Sequence, residues 1–238
     1  MIFSSTEFYF ANPENISKKE ISIFDEEAKH ISSVMRHKID DEIFVTNGNG
    51  IVYKSKIVEV KKNEIKLIII ENFKLDRKFE NITLFIPILK STERFEFALE
   101  KCVELGIQNF KIFSAEKSQE RGIKLDRWEK ILLSAMKQSL QTYLPNIEFV
   151  KLKPKEFDRK INIIFDQTAE IDFSNYLTEQ KLSEKFSENY NLFFGPEAGL
   201  TKSDIEKIPN PVFVKMNQTR LRSETAIVSA ASILTNLL

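Results

Sequence analysis

The sequence predicts an α/β protein with two domains, a small β-rich domain followed by a larger one built on a mainly parallel sheet. Residues 1–72 contain β-branched runs separated by short turns, whereas strand-like and helix-like segments alternate from Glu80 to the end of the chain. Such alternation is typical of α/β domains, in which helices connect parallel strands. The pattern changes within the charged stretch 71–80, so we predict domains at 1–72 and 73–238.

A hairpin signal defines the first domain. The runs 42–46 and 51–60 are joined by Asn47-Gly48-Asn49-Gly50, and a Gly/Asn turn between two β-branched runs is a strong hairpin signal. A third apolar run covers 64–70, and residues 25–36 have the apolar spacing of a short helix. A small barrel or sandwich is the natural packing of such pieces.

The second domain begins with a buried strand. Ile82 to Leu89 is a nearly continuous apolar run, the kind found in strands covered on both faces of a parallel sheet. Pro87 is expected to end this strand or to mark a bulge. The later segments continue the alternation, with helices predicted at 94–105, 126–140 and 224–238 and strands at 109–114, 147–150, 161–166, 190–194 and 211–216.

Composition argues against several classes of protein. No apolar run approaches the length of a membrane span, and the N-terminus lacks the basic leader of a secretory signal. One cysteine, Cys102, cannot form an internal disulfide and suits a reducing cytoplasm. With 2 His and 1 Cys, a Cys/His metal site is not expected. We therefore expect a cytoplasmic protein without a metal and without a membrane partner.

Charge is balanced overall but not along the chain. Lys and Arg number 35 and so do Asp and Glu, yet residues 73–160 hold 18 basic against 13 acidic residues. Such polarity can focus an electric field on one face of a protein that has no net charge. Lysines spread over solvated helices explain the same counts.

The first candidate loop is marked by glycine and proline. Gly195, Pro196 and Gly199 fall within five positions, although the whole chain has only 6 Gly and 7 Pro. The strand predicted at 190–194 leads into them, and a helical pattern follows from Ser203. A strand, a glycine turn and a helix start bring bare backbone close to a ligand. The spacing matches neither a dinucleotide fingerprint nor a P-loop.

Polar residues distinguish this loop from an ordinary turn. Glu197 places a carboxylate where a turn needs none, and Thr201 with Asp204 has the spacing of a capping box. The loop follows a strand of an open α/β sheet, the position at which such sheets bind ligands.

A second strand-to-helix loop, Leu221-Arg222-Ser223-Glu224-Thr225-Ala226, follows within about twenty residues. Ser223 is expected to be the N-cap of the following helix. Arg222 is a cation beside the positive end of that helix, which is unfavourable unless an anion or a polar substrate binds there. Two such loops predict one composite pocket.

Together the two loops resemble the C-terminal signature of the RsmE family of ribosomal RNA methyltransferases, which belong to the SPOUT superfamily. The family's loops are Gly-Pro-Glu-Gly-Gly and Leu-Arg-Thr-Glu-Thr-Ala. Further similarities occur in the right order along the chain: His30 to Arg36 with Asp41-Glu42 and Gly48-Gly50, Leu89-Lys90, Glu100 to Gly106, Ser114 to Ser118 and Arg127 to Ile131.

This resemblance implies a fold and an activity. The fold is a C-terminal SPOUT-type α/β domain with a trefoil knot, preceded by a small N-terminal PUA-like β-barrel that binds RNA. The activity is methylation of N3 of a specific uridine in the 16S ribosomal RNA of the small subunit, by a homodimer that uses S-adenosylmethionine and no metal.

The resemblance also implies site residues. The cofactor-binding residues would be Phe194, Gly195, Pro196, Glu197, Gly199, Leu200, Met216, Asn217, Gln218, Leu221 and Arg222. The RNA-binding residues would be Arg36, Lys90, Lys117, Arg121, Lys137 and Arg220. For catalysis we expect Arg222 to stabilise the charge that develops on a uracil oxygen. Glu197 would orient the uracil or accept its N3 proton, or else tie the loop to backbone amides.

Three segments depart from the family pattern. Ala198-Gly199 replaces Gly-Gly, Met216-Asn217-Gln218-Thr219 replaces the common Leu-Gly-Pro-Arg, and Gln141 replaces an arginine. Asn217 can keep the loop's shape, because asparagine tolerates the left-handed backbone region better than most residues.

Two alternatives stay open. One is a SPOUT methyltransferase that acts on transfer RNA or on another ribosomal site, and the other is a non-catalytic RNA-binding relative. His30 and His37 are not expected to be catalytic bases, and Cys102 and Trp128 are expected in the core.

Overall fold

The computed structural model describes residues 7–118, 122–154, 157, 160–182 and 188–237, and for residues 180–182 it describes the backbone alone. The chain forms two compact units. One comprises Met1–Arg77 with Met136–Leu144, and the other comprises Lys78–Ala135 with Pro145–Leu238. No feature of the sequence predicts that residues 136–144 group with the first unit. The predicted RNA-binding residue Arg121 lies outside the described residues.

The first unit is built on a five-stranded sheet with the order β1-β3-β4-β5-β2. Its strands are β1 (Phe8–Phe10), β2 (Glu20–Phe24), β3 (Glu42–Thr46), β4 (Ile51–Lys61) and β5 (Glu64–Lys74). The pairing of β1 with β3 is parallel and the others are antiparallel. The predicted hairpin is confirmed, since Thr46 pairs with Val52 across the turn.

The short helix predicted at 25–36 is divided. It consists of α1 (Asp25–Lys29), an α-helical turn, followed by a π-helical turn at His30–Val34. Ala28 and Ile31 are fully buried and pack with strand residues such as Ile23 and Val45. The apolar spacing predicts one buried side formed by Ile31, Val34 and Met35, and this prediction is only partly right: Ile31 is buried, whereas Val34 is 65% exposed and Met35 is 38% exposed. The change of helix type at His30 was not predicted.

Gly50 is held against residue Tyr143 of the same unit. Its φ is +83°, and a Cβ added there would overlap the Tyr143 ring. We therefore expect Gly50→Ala to lower the free energy of unfolding by about 1–3 kcal/mol, from left-handed backbone strain and overpacking. Denaturant unfolding measures this change. Adding Tyr143→Ala should relieve part of the overlap, and unchanged stability in the Gly50→Ala variant would contradict the prediction.

The second unit contains a six-stranded sheet with the order β11-β9-β10-β6-β7-β8, and all its pairings are parallel. Its strands are β6 (Ile82–Pro87), β7 (Asn109–Phe113), β8 (Asn146–Phe149), β9 (Ile161–Phe165), β10 (Tyr190–Phe193) and β11 (Val212–Val214). β6 ends at Pro87, as predicted. Because neighbouring strands are parallel, the loops that follow β6, β9, β10 and β11 start from one edge of the sheet.

Helices connect these strands. They are α2 (Thr92–Glu104), α3 (Leu125–Gln138), α4 (Phe173–Leu182), α5 (Lys202–Ile205) and α6 (Ser223–Leu237). α2 begins at the N-cap Ser91, whose side chain accepts a hydrogen bond from the Arg94 N–H, and Gly106 follows its end with φ +94°. The pattern from Ser203 yields only four helical residues, and β1, β2 and α4 were not predicted as elements.

The core of the second unit is largely aliphatic and aromatic. Cys102 and Trp128 are buried, as predicted, and the Cys102 Sγ lies 4.0 Å from the Ile227 carbonyl oxygen, where α2 and α6 meet. Burial raises the pKa of the Cys102 thiol. A neutral, inaccessible thiol is a packing group and not a nucleophile.

No helix in the described part of the chain is both long and apolar enough to cross a membrane. Among the same residues, no group of three or more His, Cys, Asp or Glu side chains could hold a metal ion.

Candidate functional site

A pocket of about 750 Å³ lies at the carboxyl edge of the parallel sheet in the second unit. The loops after β9, β10 and β11 line it, together with the beginning of α6 and with Arg94 from α2. Both candidate loops therefore border one cavity. Nine of the eleven predicted cofactor-binding residues are in its lining, and Asn217 and Gln218 are not.

The loop after β10 folds tightly on itself. A Cβ at Gly195 would lie 3.2 Å from both the Gly199 Cα and the Leu200 backbone nitrogen. Gly199 has φ +75°, and its N–H donates to the Pro196 carbonyl at 2.8 Å. The loop thus presents backbone to the pocket, and a side chain at Gly195 would contact that backbone too closely.

The start of α5 fixes the far end of this loop. The Thr201 hydroxyl accepts from the Asp204 N–H, and the Asp204 carboxylate accepts from the Thr201 N–H, so the predicted capping box is confirmed. Asp204 is 1% exposed and also accepts from the Glu116 N–H. The Thr201 hydroxyl further donates to the Glu116 carboxylate at 2.6 Å.

Ser223 ties the two candidate loops together. Its hydroxyl donates to the Gly195 carbonyl at 2.9 Å. The expectation that Ser223 is the N-cap was wrong: α6 begins at Ser223, and the Arg222 carbonyl accepts from the Ala226 N–H. Arg222 therefore occupies the N-cap position, and the serine instead sets the spacing of the pocket walls.

Glu197 is held by backbone. Its Oε1 accepts from the Lys90 N–H at 3.0 Å, just before the N-cap of α2. The Arg220 Nη2 lies 3.5 Å from the Glu197 carbonyl oxygen. Of the roles considered for Glu197, the tie to a backbone amide is present in this geometry. A role in proton transfer stays a prediction.

Gln167, which sequence reasoning missed, fastens the loop after β11. Its side-chain amide Nε2 donates to the Asn217 carbonyl at 3.0 Å and approaches the Gln218 carbonyl at 3.4 Å. Gln167 itself lines the pocket. The residues that replace the family's Gly-Pro here are thus held through their backbone, which explains how the loop keeps its place without a proline.

Removing the Gln167 amide should loosen this loop. Gln167→Ala should speed hydrogen exchange of the 217–219 amides roughly fivefold to tenfold, since a net neutral hydrogen bond contributes about 1 kcal/mol. Gln167→Glu has the same shape but lacks the donor, so it should speed exchange at least as much. Native-like protection in the glutamate variant would show that packing, and not the donated bonds, holds the loop.

Aromatic rings form part of the pocket wall. Phe165, at the end of β9, stacks on Phe194 with ring centroids 4.6 Å apart and planes 7° apart. Phe173 meets Phe165 edge-on at 4.8 Å. Phe194 is 1% exposed, so the pair gives the cavity a rigid apolar side.

Three arginines border the same cavity, namely Arg94, Arg220 and Arg222. Arg222 is exposed, and among the described residues its guanidinium makes no recorded polar contact. The sequence places Arg94 in a helix, and nothing in its position near the start of α2 predicts that it reaches a loop more than 100 residues later. The pocket therefore combines bare backbone, an apolar wall and cationic groups.

The predicted RNA-binding residues are scattered. In the first unit, Lys137 pairs with Glu27 at 2.6 Å, and exposed Arg36 has φ +60°. In the second unit Lys90, Lys117 and Arg220 are exposed, and only Arg220 lines the pocket. The Lys137 ammonium is engaged within its own unit. An RNA contact by any of these residues stays a prediction.

The two histidines lie in the first unit. The Tyr9 hydroxyl is 3.0 Å from the His37 Nε2, and the His37 Nδ1 is 3.2 Å from the Asp41 Oδ2. The bond from the Lys38 backbone and the His37 side chain lower the pKa of Asp41. Neither His30 nor His37 lines the pocket.

Comparison with known proteins agrees with this arrangement. An RNA methyltransferase domain model matches residues 76–235, and an RNA methyltransferase PUA domain model matches 23–70. Two similar proteins are both named ribosomal RNA small subunit methyltransferase E. The Bacillus subtilis protein is 27% identical, covering 91% of each chain. The Aquifex aeolicus protein is 28% identical, covering 88% of this chain and 91% of its own.

Solved structures share the fold. A ribosomal RNA small subunit methyltransferase E from Neisseria gonorrhoeae, bound to S-adenosyl methionine, has a TM-score of 0.85 at 23% identity, with 98% of each chain covered. A predicted RNA methyltransferase from Thermotoga maritima has a TM-score of 0.75 at 25% identity, with 97% of this chain and 98% of that chain covered. The α/β fold with an N-terminal PUA domain and the family resemblance predicted from the sequence are confirmed, whereas the knot stays a prediction. The chain belongs to the RNA methyltransferase family.

Proposed function

We propose that this protein transfers a methyl group from S-adenosylmethionine to N3 of one uridine in 16S ribosomal RNA of the small subunit. The observation that carries the proposal is the pocket of about 750 Å³ in which both signature loops meet, with Arg222 at its border. The names of the similar proteins support the choice of small-subunit ribosomal RNA.

The residues of the pocket fit the cofactor. A Cβ at Gly195 would be 3.2 Å from backbone, and a glycine there leaves the carbonyls and amides of the loop open to polar edges of a ligand. The wall of Phe194, Leu200 and Leu221 suits an adenine ring. When bound, the cofactor supplies an activated methyl group on a sulfonium. No metal is needed for that chemistry.

Arg222 stabilises the charge that arises on the uracil. The N3 proton of uracil stays on at neutral pH, so it must leave before or as the new bond forms. Negative charge then spreads onto the ring oxygens, and a guanidinium held at the pocket border can bind one of them. The position of Arg222 at the N-cap of α6 is otherwise unfavourable for a cation, which is why we assign it this role.

Glu197 has two candidate tasks. Its Oε1 bond to the Lys90 N–H keeps the loop after β10 against the start of α2. Its other carboxylate oxygen, which has no hydrogen-bond partner in the described part of the chain, would orient the uracil or accept the N3 proton. Loss of the first task would lower cofactor affinity, whereas loss of the second would lower only the rate.

The wider assembly follows the family expectation. We propose a homodimer in the cytoplasm with the cofactor near the subunit interface, a PUA-like domain at 1–72 and a methyltransferase domain at 73–238 that contains the knot. RNA would contact Arg36, Lys90, Lys117, Arg121, Lys137 and Arg220. Of these, Lys137 would first have to leave Glu27.

Transfer of labelled methyl groups to isolated small ribosomal subunits that lack the modification tests the proposal. Labelling of one uridine at N3, located by primer-extension arrest, is the expected result. Labelling of transfer RNA or of another ribosomal site would point to a different SPOUT substrate. Failure to bind S-adenosylmethionine in calorimetry would support a non-catalytic RNA-binding relative.

A further inference from the structure

Arg94 and Glu224 form an ion pair at the pocket. Neither residue is among the cofactor-binding, RNA-binding or catalytic residues predicted from the sequence. The Arg94 Nε lies 3.5 Å from the Glu224 Oε1, which joins α2 to the first turn of α6. The Arg94 side chain is 44% exposed, and the Glu224 side chain is 11% exposed. The carboxylate is therefore the buried anchor, and the guanidinium is the group that reaches solvent at the pocket.

Most of the hydrogen-bonding capacity of Arg94 is unused. A guanidinium has five N–H donors, and within the described ranges its only recorded polar partner is Glu224 at a distance longer than a strong charge-assisted bond. A guanidinium that merely joined two helices would be expected to use its fork in a bidentate pair. Arg127 does this with Glu96, at 2.6 Å from Nε and 2.7 Å from Nη2.

Glu224 is built to hold a cation in place. The whole residue is 8% exposed, and its Oε2 has no hydrogen-bond partner among the residues that the structure describes. Its place in the first turn of α6 favours a negative charge, because the N-terminus of a helix carries partial positive charge. The buried carboxylate of Glu224 therefore restrains the Arg94 guanidinium through Nε and leaves its other N–H groups available to a ligand.

We propose that Arg94 binds a negatively charged oxygen of the RNA substrate at the pocket, and that Glu224 is the positioning residue that orients it. This rests on the proposed function and adds a substrate-binding residue to it. The oxygen belongs either to the phosphate next to the target uridine or to the uracil ring as it gains charge. Both sources present the same chemistry, and we assign Arg94 to the RNA and not to the cofactor.

Kinetics of the full-length protein on small ribosomal subunits test this assignment. We expect Arg94→Ala to lower kcat/KM about tenfold or more, while the Kd for S-adenosylmethionine changes less than about twofold. A phosphate contact would raise KM and reduce the slope of log KM against log salt by about 1. A contact with the uracil oxygen would lower kcat and leave the salt slope unchanged.

Three further variants separate binding from folding. Arg94→Lys should restore part of a phosphate contact, because lysine keeps the charge but loses the fork. Glu224→Gln keeps the shape and should lower kcat/KM less than Arg94→Ala. Arg127→Ala is the matched control: it removes an arginine–glutamate pair of the same unit outside the pocket lining, and should leave kcat/KM unchanged.

The outcomes are distinct. If wild-type protein labels no RNA, the proposed function itself fails. If wild type is active and Arg94→Ala retains its kcat/KM, or loses chiefly cofactor affinity, the assignment of Arg94 to the RNA is overturned. The assignment is also overturned if Arg94→Ala lowers the melting temperature and Arg127→Ala lowers both the melting temperature and kcat/KM by similar amounts. The loss of activity would then come from lower stability and not from a lost contact with RNA.

Discussion

Replacing Gly195 with alanine should weaken binding of S-adenosylmethionine about tenfold to a hundredfold. The added Cβ would lie 3.2 Å from the Gly199 Cα and from the Leu200 nitrogen, and both are backbone atoms that cannot rotate away. This backbone must therefore shift by a few tenths of an ångström, at a cost of about 1–3 kcal/mol. Each loss of about 1.4 kcal/mol in the free energy of binding raises Kd about tenfold. Titration calorimetry with the cofactor measures the change.

Because of Ser223, Gly195→Ala should weaken cofactor binding more than crowding within the loop alone would. The Ser223 hydroxyl bond to the Gly195 carbonyl couples the loop after β10 to the start of α6, so a shift at Gly195 moves both walls of the pocket. Gly122→Ala is the matched control, because a Cβ there meets nothing within 4 Å. A Gly195→Ala variant with native cofactor affinity would show that the loop adapts, and our cofactor site would then be wrong.

The order of strands and helices in the second unit was predictable because its local signals agree. Buried strands such as Ile82–Pro87 are continuous apolar runs, and α2 has both an N-cap serine and a terminating glycine. The elements missed were those with weak local signals. β1 has three residues, and it gains its strand conformation from parallel pairing with β3, more than thirty residues away.

The candidate site was predictable where unusual residues mark a loop. Gly195 and Gly199 are crowded into one turn of a glycine-poor chain, and Arg222 is a cation beside the positive end of a helix. All three residues line the pocket. Arg94 and Gln167 are not unusual in this way, because an arginine near a helix start and a glutamine after a strand are ordinary. Their contacts with Glu224 and with the 217–218 backbone depend on folding that brings distant segments together. A single sequence carries no local record of such contacts.

Replacing Arg222 with alanine should lower kcat for methyl transfer about 10²- to 10³-fold, while cofactor binding persists. The magnitude is that of one donor that stabilises the charge developing in a transition state. The fold should tolerate the change, because the Arg222 side chain is exposed and only its carbonyl contributes to α6, through the Ala226 N–H. Single-turnover transfer to small subunits measures the rate of the chemical step.

Arg220→Ala is the control that separates a catalytic cation from a general one. Arg220 lies two residues away, borders the same pocket and contacts the Glu197 carbonyl oxygen at 3.5 Å. If positive charge at the pocket only attracts RNA, both variants should raise KM alike and both effects should fade at high salt. If Arg222 stabilises the uracil oxygen in the transition state, only its loss should lower kcat, and the deficit should persist when RNA is saturating. Equal kinetics for the two variants would remove Arg222 from the chemical step.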